Sequence, residues 1–328
     1  RKFIDMYAGR LRNQVSFMLS ACNFYMPIFE EALDAYGLPL ELRYLPIIES
    51  ALNPSAVSRA GASGLWQFMI GTGKIYGLES NSLVDERRDP IKATWAAARY
   101  LKEMYDIYGD WNLVIAAYNC GPGTINKAIR RANGETDYWK IYNYLPKETR
   151  GYVPAFIAAN YVMTYYCDHN ICPMETNIPA STDTVQVNKN LHFEQIADLC
   201  NVPLDQIKSL NPQYKKQMIP GDSKPYTLRL PIDAISTFID KQDTIYTHRA
   251  DELFRNRKTV AVKDITPATR KTTSAVAGKG NLTYYTIKSG DTLSTIARKY
   301  GVTIKDIQRW NGMSSTKIAA GKRLKIYK

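Results

Sequence analysis

Shifted by one hundred residues, the C-terminal part of this chain lies on itself without a gap from Val185 to Asn211. Val185-Gln-Val187 falls on Tyr285-Thr-Ile287, Ile196-Ala197 on Ile296-Ala297, Val202 on Val302, Ile207 on Ile307 and Leu210-Asn211 on Trp310-Asn311. Repetition at a fixed offset means that one supersecondary unit is used twice. Each copy reads as strand, helix, helix, strand, and the copies close on Leu228-Arg-Leu230 and Leu324-Lys-Ile326. They differ at the first turn. The second copy has Lys288-Ser-Gly290-Asp291-Thr292 where the first has Asn188-Lys-Asn190-Leu191-His192, so the first keeps the pattern of the fold but loses the turn glycine and the acid-hydroxyl pair.

The chain ahead of the repeats has a different period. Val15, Met18, Leu19, Cys22 and Tyr25 recur at three and four, as do Trp95, Ala98, Leu101, Met104, Tyr105 and Tyr108, which predicts helices. Asp110 is placed to cap a helix from Trp111 to Asn119. At 328 residues the chain exceeds one ordinary domain. Four parts are expected: a helical domain over 1–177, the first repeat over 178–240, a basic flexible linker over 241–280 and the second repeat over 281–328. Charge follows this division. Residues 1–240 hold 24 Lys and Arg against 25 Asp and Glu, and residues 241–328 hold 19 against 6. A basic C-terminal part suits an acidic polymer. No nucleic-acid-binding motif accompanies it. Cys167 and Cys172 are spaced either to close a small disulfide loop or to remain as buried free thiols. His169, His192 and His248 show no metal-ligand spacing with the thiols, so neither a metal nor a cofactor is expected.

The chemistry-bearing feature is Glu49. It follows the apolar run Leu45-Pro-Ile47-Ile48 and precedes Asn53-Pro54 and a loop punctuated by Gly61, Gly64, Gly71 and Gly73. A carboxyl emerging from a poorly solvated wall is raised in pKa and can hold a proton near neutrality. Further along stand Gly64-Leu65-Trp66-Gln67, Ala117-Tyr118-Asn119, Asp85-Glu86-Arg87-Arg88-Asp89-Pro90 and Leu145-Pro146-Lys147-Glu148-Thr149-Arg150-Gly151-Tyr152-Val153-Pro154. In order and spacing, over roughly residues 20 to 165, these motifs resemble the family-1 lytic transglycosylases, goose-lysozyme-like enzymes of bacterial peptidoglycan. Within the family they are most similar to the membrane-bound transglycosylase D subgroup. The second repeat, Tyr285 to Ala297, resembles a LysM module, a small glycan-binding fold.

The resemblance implies a mainly α, lysozyme-like catalytic domain followed by small α+β (βααβ) LysM modules. It implies that Glu49 is the catalytic acid and base, splitting the bond between N-acetylmuramic acid and N-acetylglucosamine without water to leave a 1,6-anhydro product. Ser58, Gln67, Met69, Tyr118 and Asn119 match positions that line the sugar cleft, Trp66 and Tyr118 are assigned to stacking on sugar, and Tyr152 closes the cleft. Trp95 and Trp111 are expected in the core, and Ser50 is expected to steady the Glu49 turn. In the second repeat Gly290, Asp291, Thr292, Leu293, Asn311 and Ile318 are the expected glycan-binding residues. Peptidoglycan strands are the implied partner, met by a monomer. The setting is the periplasm, with contact to the outer membrane through a lipid anchor upstream of Arg1. Two other readings remain: a water-using muramidase, if Asp85, Glu86 or Asp89 faces Glu49, and an inactive glycan-binding scaffold. Those three acids are expected instead in a solvated, salt-bridged loop beside Arg87 and Arg88.

Overall fold

The computed structural model describes residues 1–254 apart from 177 and 180, and residues 282–327 apart from 289, 290, 312, 314–317, 319 and 320. The protein is multidomain and mainly helical, and it divides into two compact units, Arg1–Pro267 and Ala268–Lys328.

The long helix Arg12–Ala35 buries Val15, Met18, Leu19, Tyr25, Phe29, Ala32 and Leu33, whose spacing places them on one face. Gly37 stops it in the left-handed region at φ +63°, and the Leu38 amide reaches back to the Leu33 carbonyl at 2.9 Å. Asp89 starts the helix Pro90–Tyr108 by accepting from the Ile91 and Lys92 amides. Asp110 starts Trp111–Cys120 by accepting from the Leu113 amide at 2.8 Å. Ala93, Ala96, Ala97, Ala116 and Ala117 are buried, so these two helices approach closely. The helix Lys147–Thr164 packs on Trp111–Cys120 and carries Tyr152 into the same core.

The two repeats share their scaffold. In the first, the strand Thr182–Val187 pairs antiparallel with Tyr226–Pro231, Val185 opposite Leu228. In the second, Leu282–Thr286 pairs with Arg323–Tyr327, Tyr285 opposite Leu324. Two short helices lie between the strands in each copy: Phe193–Cys200 and Leu204–Leu210, then Leu293–Tyr300 and Ile304–Trp310. An asparagine after the second helix fixes the closing strand. Asn211 Nδ2 donates to the Ile207 and Arg229 carbonyls at 2.9 and 2.7 Å and its Oδ1 accepts from the Arg229 amide. Asn311 does the same with Ile307 and Lys325.

The first copy is elaborated. A second strand pair, Asn190–His192 with Met218–Pro220, is added, and helices Ile232–Asp240, Gln242–Thr247 and Ala250–Leu253 follow. Here the expected linker is corrected at its start. Residues 241–254 are helical, with Ile245 fully buried and the Tyr246 and His248 carbonyls accepting from Gln195 Nε2. Residues 255–280 lie outside the described residues. Cys167 and Cys172 are free and exposed, neither bridged nor buried. Among the described residues no helix is long and apolar enough to cross a membrane.

Candidate active site

Glu49 sits near the end of the short helix Leu45–Ser50, which has proline at its first turn and buries Leu45, Pro46 and Ile47. The chain then reverses through Ala51 and Leu52, both in the left-handed region at φ +51° and +57°. Two such residues in succession are costly without glycine and persist only where the surroundings over-determine them. Ser50 supplies part of that constraint, since its Oγ lies 3.0 Å from the Pro46 carbonyl and 2.9 Å from that of Leu65.

Glu49 opens into a cavity of about 420 Å³. Ser58 and Gln67 line it as expected from the motifs, and Val57 lies beside them. The opposite wall, absent from the sequence reading, is Tyr7, Leu11, Gln14 and Met18 of the N-terminal segment. Tyr7 lies in a π-helical turn, Met6–Arg10, a geometry that recurs at functional sites. Nothing local in the sequence brings residue 7 to residue 49; only the periodicity around Met18 marks a face that must be covered.

Burial pushes the Glu49 carboxyl from its ordinary 4.5 up to about 7; the Tyr152 hydroxyl, which donates to Oε1, pulls it back, and repulsion from Glu148 adds to the rise. Tyr118 is close enough that Glu49 helps to raise its phenol pKa, although burial is the larger cause. The Tyr118 hydroxyl donates to the Trp66 carbonyl at 2.6 Å, and Thr149 Oγ1 donates to Asn119 Oδ1 at 2.9 Å; neither motif residue, expected to line the sugar cleft, is among those lining this cavity. Gln67 Nε2 donates to the Gly64 carbonyl at 2.8 Å.

Four expectations are corrected here. Trp66 has no face to offer a sugar: it is 0% exposed, packs edge-on against Phe29, and donates from Nε1 to Thr94. Trp95, expected in the core, is 36% exposed on the outer face of its helix, while Trp111 stacks on Tyr105 at 4.2 Å between centroids. The acids at 85 and 86 are salt-bridged but not solvated. Asp85 is 1% exposed and chelated by Arg87, and buried Glu86 accepts from Lys92 and from the Glu79 amide. Neither lines the Glu49 cavity. Met69 is exposed and outside that lining.

In the second repeat, Asn311 and Ile318 border a groove of about 400 Å³ with Ile287, Met313, Lys322 and Arg323. The Asn311 amide, however, is spent on backbone. Leu293 is core. Asp291 accepts from the Lys288 amide and the Tyr285 hydroxyl, both at 2.8 Å, and Thr292 caps its helix through Thr295. Gly290 lies outside the described residues.

Comparison with known proteins divides the chain in the same order. Residues 26–141 match the transglycosylase SLT domain, residues 181–247 the LysM-like domain of lytic transglycosylase MltD, and residues 285–326 the LysM domain. Membrane-bound lytic murein transglycosylase D of Escherichia coli K12 is 33% identical over 294 residues, covering 88% of this chain and 60% of that protein. The chain therefore spans less than two thirds of that relative's length. The soluble lytic murein transglycosylase of the same organism is 33% identical over 124 residues, 36% of this chain and 19% of that one. Its 70 kDa crystal structure superposes with a TM-score of 0.38 at 29% identity, over 44% of this chain and 24% of that structure.

Proposed function

We propose that this chain, whose SLT domain is followed by MltD-type LysM-like and LysM domains, cleaves the MurNAc–GlcNAc β-1,4 bond of peptidoglycan without consuming water. The observation that carries this reading is Glu49, among the described residues the single carboxylate lining its cleft, raised to about 7 by burial. A group poised there can give a proton and take one back within a turnover. Protonated Glu49 donates to the bridging oxygen as the glycosidic bond breaks. The resulting carboxylate then removes the proton of the muramyl 6-hydroxyl, which attacks its own anomeric carbon and leaves a 1,6-anhydro end. The nucleophile is tethered to the electrophile, so little entropy is lost on the way to attack. Tyr152 holds the carboxylate in place between the two steps. Ser58, Gln67 and the Tyr7–Gln14 wall bind the strand on either side.

The second repeat binds glycan through the groove at Ile318, with Lys322 and Arg323 on its rim facing an anionic polymer. The enzyme faces the periplasm as a monomer held to the outer membrane by a lipid anchor, a setting that fits the name of its membrane-bound relative. Mass spectrometry of products from purified sacculi tests the reaction: anhydromuropeptides are expected, and reducing ends in their place would show a hydrolytic muramidase.

A further inference from the structure

The groove that stands open in the second repeat is closed in the first. The hundred-residue offset puts Asn211 and Gln213 where the second copy has Asn311 and Met313, and the strand registers, with Leu228 at the place of Leu324, put Tyr226 where it has Lys322. All three first-copy residues are buried, and none of their counterparts is. A segment of the helical domain meets two of them, Gln213 and Tyr226. Leu83 and Val84 belong to the first repeat's own core, and Val84 bridges Tyr214 in antiparallel pairing. The Asp85 amide donates to the Gln213 carbonyl at 2.9 Å and the Lys215 amide to the Leu83 carbonyl at 2.8 Å. Lys215 Nζ donates to the Asn81 carbonyl at 2.6 Å, and the Tyr226 hydroxyl to Glu79 at 3.0 Å. Main-chain pairing with apolar side chains in a pocket is how a sheet edge takes a peptide ligand.

The same segment reaches the catalytic cleft from its other side. Arg87, gripped by Asp85 at 2.9 and 2.7 Å, donates from Nη1 to the Gly61 and Phe68 carbonyls at 2.8 and 2.9 Å. Those carbonyls belong to the loop bearing Ser58 and Gln67, itself tied by bridges from Ser63 to Val57 and Phe68. The loop also touches the Arg87 backbone at Gly64, where a Cβ would stand 1.7 Å from the Arg87 oxygen. Gln67 is held at φ +48°, a conformation that needs such external constraint.

We propose that the first repeat takes Leu83–Val84 of this same chain as its ligand and acts as a brace, with Arg87 the positioning residue that passes its hold to the cleft loop. The planar guanidinium suits this role because its fork fixes two carbonyls and one carboxylate at once. The kinetic consequence rests on the transglycosylase reading; the structural one does not.

The full chain carrying Lys215→Glu, which sets a carboxylate against Asp85 and the Asn81 carbonyl, tests it. Hydrogen exchange is expected to quicken about tenfold or more at the Asp85 and Lys215 amides and also at Ser63 and Gly64, with the helix Arg12–Ala35 unchanged. KM for soluble glycan strands should rise about tenfold while kcat stays within about threefold, as expected when binding residues lose their positions. An oxidised Val84→Cys/Tyr214→Cys pair in that background should restore both, since bridge partners lie within disulfide reach. Opening at 83–85 that leaves 61–68 protected, or a cross-link that restores neither readout, overturns the brace. If Arg12–Ala35 also loses protection, the variant has unfolded, and Lys215→Met, which adds no like charge, is judged by the same criteria. A wild-type chain that cuts no glycan refutes the transglycosylase reading, and exchange alone then decides the brace.

Discussion

Glu49 and the Asp85–Glu86 pair are carboxylates of one helical domain, both drawn out of water, with opposite results. Asp85 and Glu86 are met by Arg87, Lys215 and Lys92, and every approach of a charge is answered by a countercharge or an amide. Glu49 is met by a phenol and by the field of another acid. Burial alone therefore does not make a reactive carboxyl; burial without a cation does. One arrangement ties down loops, and the other leaves a proton available near neutral pH.

The difference breaks most visibly at Glu49. Glu49→Gln should cut turnover on glycan strands about 10³-fold or more, the contribution of a general acid and base lost together. The same change should stabilise the fold. Because the folded-state pKa lies above the ordinary value, the folded protein holds a proton that the unfolded chain releases, and wild-type stability falls as pH rises from 4.5 through about 7. Urea titrations should show the variant ahead by on the order of 1–3 kcal/mol at pH 8, with the gain gone below about pH 4.5. Equal stabilities at pH 8 would mean that Glu49 carries no burial cost.

Asp85→Ala should do the reverse, costing about 3–5 kcal/mol in the same titrations because Arg87 is left buried beside an empty site. A loss under about 1 kcal/mol would place the pair with solvated surface bridges. Tyr152→Phe removes the interaction that lowers the Glu49 pKa, so the alkaline limb of the kcat/KM profile should move upward by about one unit. A downward move would mean that the phenol holds the neutral acid instead. Glu148→Gln gives the smallest effect. Its carboxylate is exposed and screened, so its removal should lower that limb by less than about half a unit, and only at low salt.

What the sequence disclosed follows from how far apart the interacting parts lie. Glu49, Ser58 and Gln67 fall within twenty residues, and their types and spacing carry the cleft. The Asp110 cap and the repeated strand-helix-helix-strand unit are local as well. Trp66 misled because a motif records what a fold needs as well as what a substrate touches; its carbonyl and indole tie Tyr118 to Thr94. The run Asp85 to Asp89 has the composition of a surface loop. The groups that make it an interior one, Lys215 and the Gly61 and Phe68 carbonyls, come from elsewhere in the chain. Tyr7 and Gln14 were hidden for the same reason. For Asn311 a signal was present: the same residue stands at 211 in the copy that lacks the turn glycine, as a part of the frame should.

That shared asparagine has a consequence for how such modules diversify. By closing helix to strand from within, it makes the frame independent of whatever the outer edge meets. On the brace proposed above, a duplicated copy can then exchange an open groove for a neighbouring stretch of its own polypeptide without refolding. An open groove in one copy becomes masonry in the other.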